Sequence, residues 1–484
     1  MAVQVTRLPL KLRPDPRRVI TRFFRPGDNN RVRRIIDRAL AIPEPQVEQI
    51  LDLLARALDR RHPDIRAIFT KHYELVRSCL PEGASPSAKR RLVIGAYFTM
   101  EYALASAALF NPSMVPALDQ GGVPPGSVRF LMSLRATGEG HISSVVFRTG
   151  TVGPDGDIRV DPPGASSRPL RAVVPTDFDK PTFLRNLSTF GTVEGAVELV
   201  LARLGDHFTI DELSAAIEAI RHECARSGQL EEDLDTLITL SRVNYRLEVP
   251  DPLPESEMVI FPFSDIERNG IEDLRMVRFL EDDGSYRYYG TYTAYNGVRV
   301  YAQLMEYRQS TDLRISLITG RCAHNKGMAL FPRRVRGRYA MISRLDNENM
   351  YYMESDDVRH WEDAQLLQAP RFPWEIIQIG NCGSPLETDA GWLLLTHGVG
   401  PVRLYCIGAT LLDRNEPWRV IGQTSEPLLM PMGSERAGYV PNVVYSCGGM
   451  IHGQNLIIPF AASDRVTSFA RVDLHELIGS LQSV

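Results

Sequence analysis

Along the first hundred residues, apolar positions recur every three or four places. In "NNRVRRIIDRALAI" and "EPQVEQILDLLARALDRRH" the Val, Ile and Leu residues fall on one face and Arg and Glu on the other, the pattern of amphipathic helices. A second helical block spans about residues 190–245 and holds "TVEGAVELVLARLGDHF", "TIDELSAAIEAIRHECARSG" and "LEEDLDTLITLSRVNY", with Thr209 and Asp211 as candidate caps. Between and after these blocks the period changes. Short apolar runs divided by Gly, Asp and Asn turns predict strands from Phe130 to about Val174 and again from Met258 to the end. The pattern therefore divides the chain into a helical extension (1–100), a strand region (101–188), a helical insertion (189–250) and a second strand region (251–484).

The strand regions share one feature. "VRFLMSLRATG" ends its apolar run at Arg135, and "YRYYGTYTAYNGVR" delivers Tyr295 and then Arg299. "GRYAMISRLD" delivers Arg344, "GWLLLTHGVG" delivers His397, and "NLIIPFAASD" delivers Asp464. One histidine after an apolar strand reads as an ordinary core residue; five polar strand ends do not. The last four are spaced at roughly the length of one propeller blade. Charges gathered at a propeller axis cost several kcal/mol each unless paired or holding a ligand, so the pattern predicts an all-β propeller with a shared polar pocket.

Composition narrows the function. With 44% hydrophobic and 24% charged residues the chain reads as globular, and a net charge of −4 gives no case for nucleic acid. No apolar run reaches the length of a membrane span. The basic opening lacks the apolar core and cleavage pattern of a secretory signal. Six cysteines (Cys79, Cys224, Cys322, Cys382, Cys406 and Cys447) stand without a C-x-x-C pair, and no spacing resembles a metal site. The expectation is a cytoplasmic protein with reduced thiols, no metal and no membrane or nucleic-acid partner. The apolar positions of the N-terminal helices exceed what a free surface needs, which predicts a homo-oligomer.

Two further stretches carry chemistry. "ERNGIEDLRMVRF" sets Glu272 and Asp273 at a strand start, where a carboxylate beside the polar tips is placed to act as a general acid. "GRCAHNKGMALFPRRVRGRY" places Lys326 in a turn ahead of a strand. Arg299, Lys326, Arg344 and His397 together supply four donors suited to a dianion. Asn111 and Ser113, in "LFNPSMVP", offer the uncharged hydrogen bonds that sugar hydroxyls use.

"NGIEDLR", "NKGMALFP", "GRYAMISR", "GSPLETDAGWLLLTHGV", "YCIGATLLD" and "ERAGYVPNVVYSCG" resemble, in the same order, the motifs of glycoside hydrolase family 130, over about residues 105–475. The resemblance implies a five-bladed β-propeller acting on β-mannosides, by inverting phosphorolysis to α-mannose 1-phosphate in most relatives and by hydrolysis in a minority. It implies that Asp273 is the general acid, working through the mannosyl 3-hydroxyl. Asn111, Ser113, Arg135 and Asp464 then correspond to sugar contacts. Arg299, Lys326, Arg344 and His397 correspond to the phosphate cradle, with Tyr439 nearby. Inorganic phosphate is the co-substrate and no cofactor is implied. Gln378 stands where many relatives have lysine, which removes one cation. The chain reads first as a β-mannoside phosphorylase. The alternatives are an inverting β-mannosidase, with Glu387, Glu435 or Glu272 as second carboxylate, and a non-catalytic sugar-binding propeller.

Overall fold

The computed structural model describes residues 3–191, 195–224, 227–308 and 312–483. Residues 192–194 and 225–226, which begin and end two of the expected helical stretches, lie outside them. The protein is mostly β, with two groups of helices and a short helix at Leu474–Ser480 among the described residues. Its strands form five antiparallel meanders in chain order. Meander 1 comprises Ala108–Pro116, Val128–Thr137, Ser143–Val152 and Ile158–Val160. Meander 2 comprises Gly270–Leu280, Tyr286–Tyr295, Val300–Arg308 and Asp312–Leu317. Meander 3 comprises Lys326–Leu330, Tyr339–Arg344, Met350–Ser355 and Ala364–Gln368. Meander 4 has Gln378–Asn381, Gly391–Gly400, Leu404–Leu412 and Val420–Gln423 as its main strands.

Meander 5 draws on both ends of the chain. Val444–Tyr445, Asn455–Ala462 and Val466–Asp473 are followed at the edge by Val5–Leu12, which pairs antiparallel with Val466–Asp473. Val5–Leu12 therefore belongs to a sheet and not to the expected helical extension. Asp15–Phe23 is also a strand and pairs with Thr99–Ala105. The helices of the extension lie between these two strands, at Asn29–Leu40, Glu44–Leu58, Ile65–Val76 and Ala88–Tyr97.

Packing follows the chain order. Leu131, Val145, Ile271 and Met276 share a core between meanders 1 and 2. Val277, Leu304, Met328 and Trp361 join meander 2 to 3, and Phe331, Ile342, Trp392 and Leu394 join 3 to 4. Leu393, Ile407, Ile458 and Phe460 join 4 to 5, and Met132, Val146, Ile457 and Phe469 join 5 back to 1. Apolar side chains on both faces of each meander are what these five shared cores require.

The insertion helices Lys180–Leu187, Ala196–Leu201, Ile210–Glu223 and Gly228–Leu240 pack on the core shared by meanders 1 and 2. Thr209 caps the third of them in a reciprocal box with Glu212, while Asp211 sits in the first turn. The insertion is also pinned by a buried carboxylate. Glu267, with no exposed surface, accepts from Tyr245 (2.8 Å) in the insertion strand, from Tyr292 (2.6 Å) in meander 2, and from the Phe263 and Ser264 N–H groups. Glu267→Ala leaves those buried donors unpartnered, each costing about 1–3 kcal/mol. Urea unfolding should show a loss of about 3 kcal/mol or more; a loss within experimental error would show that Glu267 does not pin the insertion.

Candidate active site

The first strand of each meander is short or irregular, and in meanders 1, 2 and 3 a β-bulge in it re-aims the polar side chains. The register slips between Phe110 and Ser113 in meander 1, between Glu272 and Arg275 in meander 2, and between Lys326 and Ala329 in meander 3. Asn111 (φ 49°) and Asp273 (φ 57°) stand inside two of these bulges in the left-handed region, and Asp464 (φ 49°) adopts the same conformation after its strand. Non-glycine residues there cost of order 1–3 kcal/mol each and persist where surrounding contacts fix them.

Those contacts form one network. Asn111 Nδ2 donates to Asp273 at 2.7 Å, and Arg135 Nη1 reaches the same carboxylate oxygen at 3.3 Å. Arg135 Nη2 binds Glu272 Oε1 at 2.8 Å, and Lys326 Nζ binds the other Glu272 oxygen at 2.8 Å. Arg135 is oriented by Ser143 Oγ (2.9 Å) and lies over the Phe110 ring. Arg275, 3% exposed, donates to the Asp273 carbonyl (3.1 Å) and the Tyr445 hydroxyl (2.7 Å). Burial pushes the Asp273 carboxyl up, but the charges of Arg135, Arg275 and Lys326 and the Asn111 amide outweigh it and hold the pKa at about 2.

Next to Lys326 stands a second cation. Lys326 and Arg344 are direct cross-strand partners. Arg344 Nη1 lies 3.0 Å from His397 Nε2, and the Gln378 amide lies 3.2 Å from the same nitrogen. Burial and then the charge of Arg344 drive His397 well below its ordinary pKa, so the ring is neutral. Tyr445 meets the ring edge-on and Tyr405 stacks on it. Gly380 permits this approach, since a β-carbon there would come within 2.5 Å of His397 Cε1. Several buried polar atoms in this group have no partner among the described residues: Arg344 Nε, Arg275 Nε, Asn381 Oδ1 and Asn111 Oδ1.

Asp273, Asn111, Arg135, Lys326, Arg344 and His397 are thus brought into one network, with Asp464 in electrostatic contact with Arg135, Asp273 and Arg403. Three expected residues stand elsewhere. Ser113 is fully buried and its Oγ accepts the Met276 N–H (2.9 Å), tying meander 1 to meander 2 instead of joining the network. Arg299 lies in a turn folded around Asn296 Oδ1 and reaches toward Phe190 of the insertion, away from the cations. Tyr439 is exposed and its hydroxyl meets His141 Nδ1 at 3.1 Å, not the cation cluster. Of the second carboxylates, Glu387 is held by Arg333 (2.7 Å) at a separate cavity of about 300 Å³, and Glu435 by Arg7 (3.1 Å). Arg275 and Tyr445 are site residues that the strand pattern did not single out. No group of three or more His, Cys, Asp or Glu is placed to hold a metal among the described residues.

A family model described as beta-1,4-mannooligosaccharide phosphorylase matches residues 252–483. A 1,2-beta-oligomannan phosphorylase of Thermoanaerobacter sp. (strain X514) is 30% identical over 269 residues, which cover 52% of this chain and 82% of that protein. A beta-1,4-mannooligosaccharide phosphorylase of Ruminococcus albus is 31% identical over 173 residues, 33% of this chain and 51% of that protein. Among solved structures, the beta-1,2-mannobiose phosphorylase of Listeria innocua in complex with beta-1,2-mannobiose aligns with 78% of this chain and 93% of its own, at 20% identity and a TM-score of 0.47.

Burial, followed by the adjacent charge of Asp273, pushes Asp464 up to about 6. A carboxyl whose folded pKa exceeds its unfolded value near 3.9 contributes stability that is complete below about pH 4 and lost as pH rises through 6. Asp464→Asn keeps the neutral shape at all pH values. At about pH 7.5 it should be more stable than wild type by about 2 kcal/mol, the gap closing near pH 4. Equal thermal midpoints at both pH values would contradict a strained carboxylate.

Proposed function

This chain belongs to glycoside hydrolase family 130, and on that premise we propose that it is an inverting β-mannoside phosphorylase. The observation that carries the reading is the cation pair on meander 3. Like charges directly opposite on neighbouring strands are destabilising. Lys326 and Arg344 occupy such a position, and Arg344 Nε is buried beside them without a partner among the described residues. A bound phosphate dianion removes both penalties. Neutral His397 adds a donor without adding charge, and Arg275 contributes a further buried cation.

In this reading a phosphate oxygen attacks C1 of the mannosyl group from the side of Arg344 and His397. The bond from C1 to the leaving sugar oxygen breaks and its electron pair stays on that oxygen, which takes the proton of the mannosyl 3-hydroxyl as that hydroxyl is reprotonated by Asp273. Inversion gives α-mannose 1-phosphate. The ligand-free carboxyl is held at about 2 by its cations; phosphate charge on Lys326 and Arg344 offsets them and raises it toward a working acid. Asn111, Arg135 and Asp464 face the mannosyl hydroxyls. No base is needed, because phosphate arrives ionised, and the co-substrate replaces any cofactor. Asp464 favours a second reading, inverting hydrolysis, since it is a carboxyl beside Asp273 with a pKa suited to deprotonating water.

The same reading takes the five meanders as the blades of a five-bladed propeller formed by residues 101–188 and 251–484 with Val5–Leu12 added to the fifth; the cyclic order of the five shared cores supports it. The N-terminal helices and the insertion then decorate it. Association into a homo-oligomer is supported by Glu44–Leu58, where Val47 is buried and Leu53 is 62% exposed. All six cysteines are free, which favours the cytoplasm.

Release of mannose 1-phosphate from β-mannobiose should require phosphate; a wild-type rate unchanged by phosphate would favour hydrolysis. Asp273→Asn should lower turnover by roughly 10²-fold or more while preserving sugar binding. Arg344→Ala should mainly raise the phosphate KM, by about 10- to 150-fold for one charge-assisted contact. An Arg344→Ala defect confined to the sugar KM would remove Arg344 from the phosphate side.

A further inference from the structure

His141 and Tyr439 come from distant parts of the chain and meet each other. His141 lies in the turn after Thr137 in meander 1, two residues before Ser143, whose hydroxyl orients Arg135. Gly140 (φ 67°) and His141 (φ 60°) are both left-handed, which turns the ring out of the strand direction. Tyr439 lies in the loop before Val444–Tyr445. The preceding Gly438 packs so closely on Ser463 that a β-carbon there would come within 2.6 Å of Ser463 Cβ, and Val440 N–H donates to the Ser463 carbonyl at 3.1 Å. Ser463 is the neighbour of Asp464. The two rings stack at 5.7 Å with an interplanar angle of 30°, and Tyr439 remains 52% exposed.

This pair therefore flanks the Arg135–Asp464 side of the network, while Lys326, Arg344 and His397 form the other side. In an inverting displacement the nucleophile and the leaving group occupy opposite faces of C1. With phosphate on the cations, the departing sugar lies across Asp273, toward the ring pair. We infer that His141 and Tyr439 form the platform that receives the leaving-group sugar and set which acceptor the enzyme takes, an inference that rests on the phosphorylase reading of the site. A stacked pair presents a flat apolar face to the C–H groups of a pyranose; the Tyr439 hydroxyl and His141 Nδ1 hold each other at 3.1 Å, which leaves His141 Nε2 for the sugar's rim. Both residues stand on loops, where such selectivity is expected to reside.

The test separates this inference from the reading on which it rests. In an Asp273→Asn background without phosphate, calorimetry with β-mannobiose measures binding alone, whatever reaction the wild type performs. Tyr439→Ala and His141→Ala should each weaken binding by about tenfold, while Tyr439→Phe, which keeps the ring, should weaken it by no more than about threefold. In the reverse direction with otherwise wild-type enzyme, Tyr439→Ala should raise the KM for the acceptor sugar and leave that for mannose 1-phosphate unchanged. Wild-type binding of β-mannobiose that both alanine variants retain would overturn the platform even if phosphorolysis is confirmed. A phosphate-independent wild type, with the binding losses still present, would overturn phosphorolysis and leave the platform standing.

Discussion

The site depends on the double grip of Arg135 on Glu272 and Asp273. Each of these charges is mostly buried, and a buried carboxylate without a partner loses several kcal/mol of solvation. Arg135 spans both carboxylates, at 2.8 and 3.3 Å, and Lys326 closes the far side of Glu272. Glu272 is therefore more than a neighbour of Asp273. It is the counter-ion that allows Arg135 and Lys326 to stand close together, and so it connects the Asn111–Asp273 side of the network to Lys326 and its cross-strand partner Arg344. The remaining positive charge, on Arg344 and Arg275, has no comparable carboxylate partner, and this imbalance fits the site to an anion.

Such a network needs directions that regular strands do not offer. Side chains on a strand alternate, so neighbours such as Glu272 and Asp273 would normally face opposite sides of the sheet. The bulge between Glu272 and Arg275 and the left-handed backbone of Asp273 bring both carboxylates to Arg135. Asn111 is turned by the same device in the adjoining meander, and its amide fixes the Asp273 oxygen. Local strain and the hydrogen-bond network support each other, because neither the backbone conformation nor the cluster of charges is favourable alone.

The same bulges explain what could be read from the sequence and what could not. Arg135, Arg344 and His397 were legible because each follows an apolar run that keeps its period to the end, on the second strand of its meander. Arg275 was not. It lies beyond the bulge in "GIEDLRMVRFL", where the inserted residue reverses the alternation and carries an arginine into the interior. Arg299 misled for the opposite reason: its strand end has the right pattern, but the turn around Asn296 is drawn to the insertion, which single-strand periodicity does not register. Alternation in "VTRLPLKL" does carry a strand signal, but its sheet partner is near the other end of the chain, at Val466–Asp473. Sequence pattern identified the strands and the charged tips; the pairings that decide which tips converge are long-range.

That distant pairing also bears on the site. Val5–Leu12 adds its strand to meander 5, and Arg7 on it binds Glu435 through both carboxylate oxygens, at 3.1 and 3.2 Å. Glu435 in turn accepts the Met432 N–H, and its own carbonyl accepts the Ser463 hydroxyl at 2.5 Å. One mostly buried ion pair thus fixes both the loop that carries Tyr439 and the turn that carries Asp464. A carboxylate held by arginine and a backbone N–H is an anchor for both segments. The first residues of the chain thereby hold part of the wall around a site whose other residues begin a hundred positions later. Stability of the closing sheet and placement of the site are, at this point, the same set of contacts.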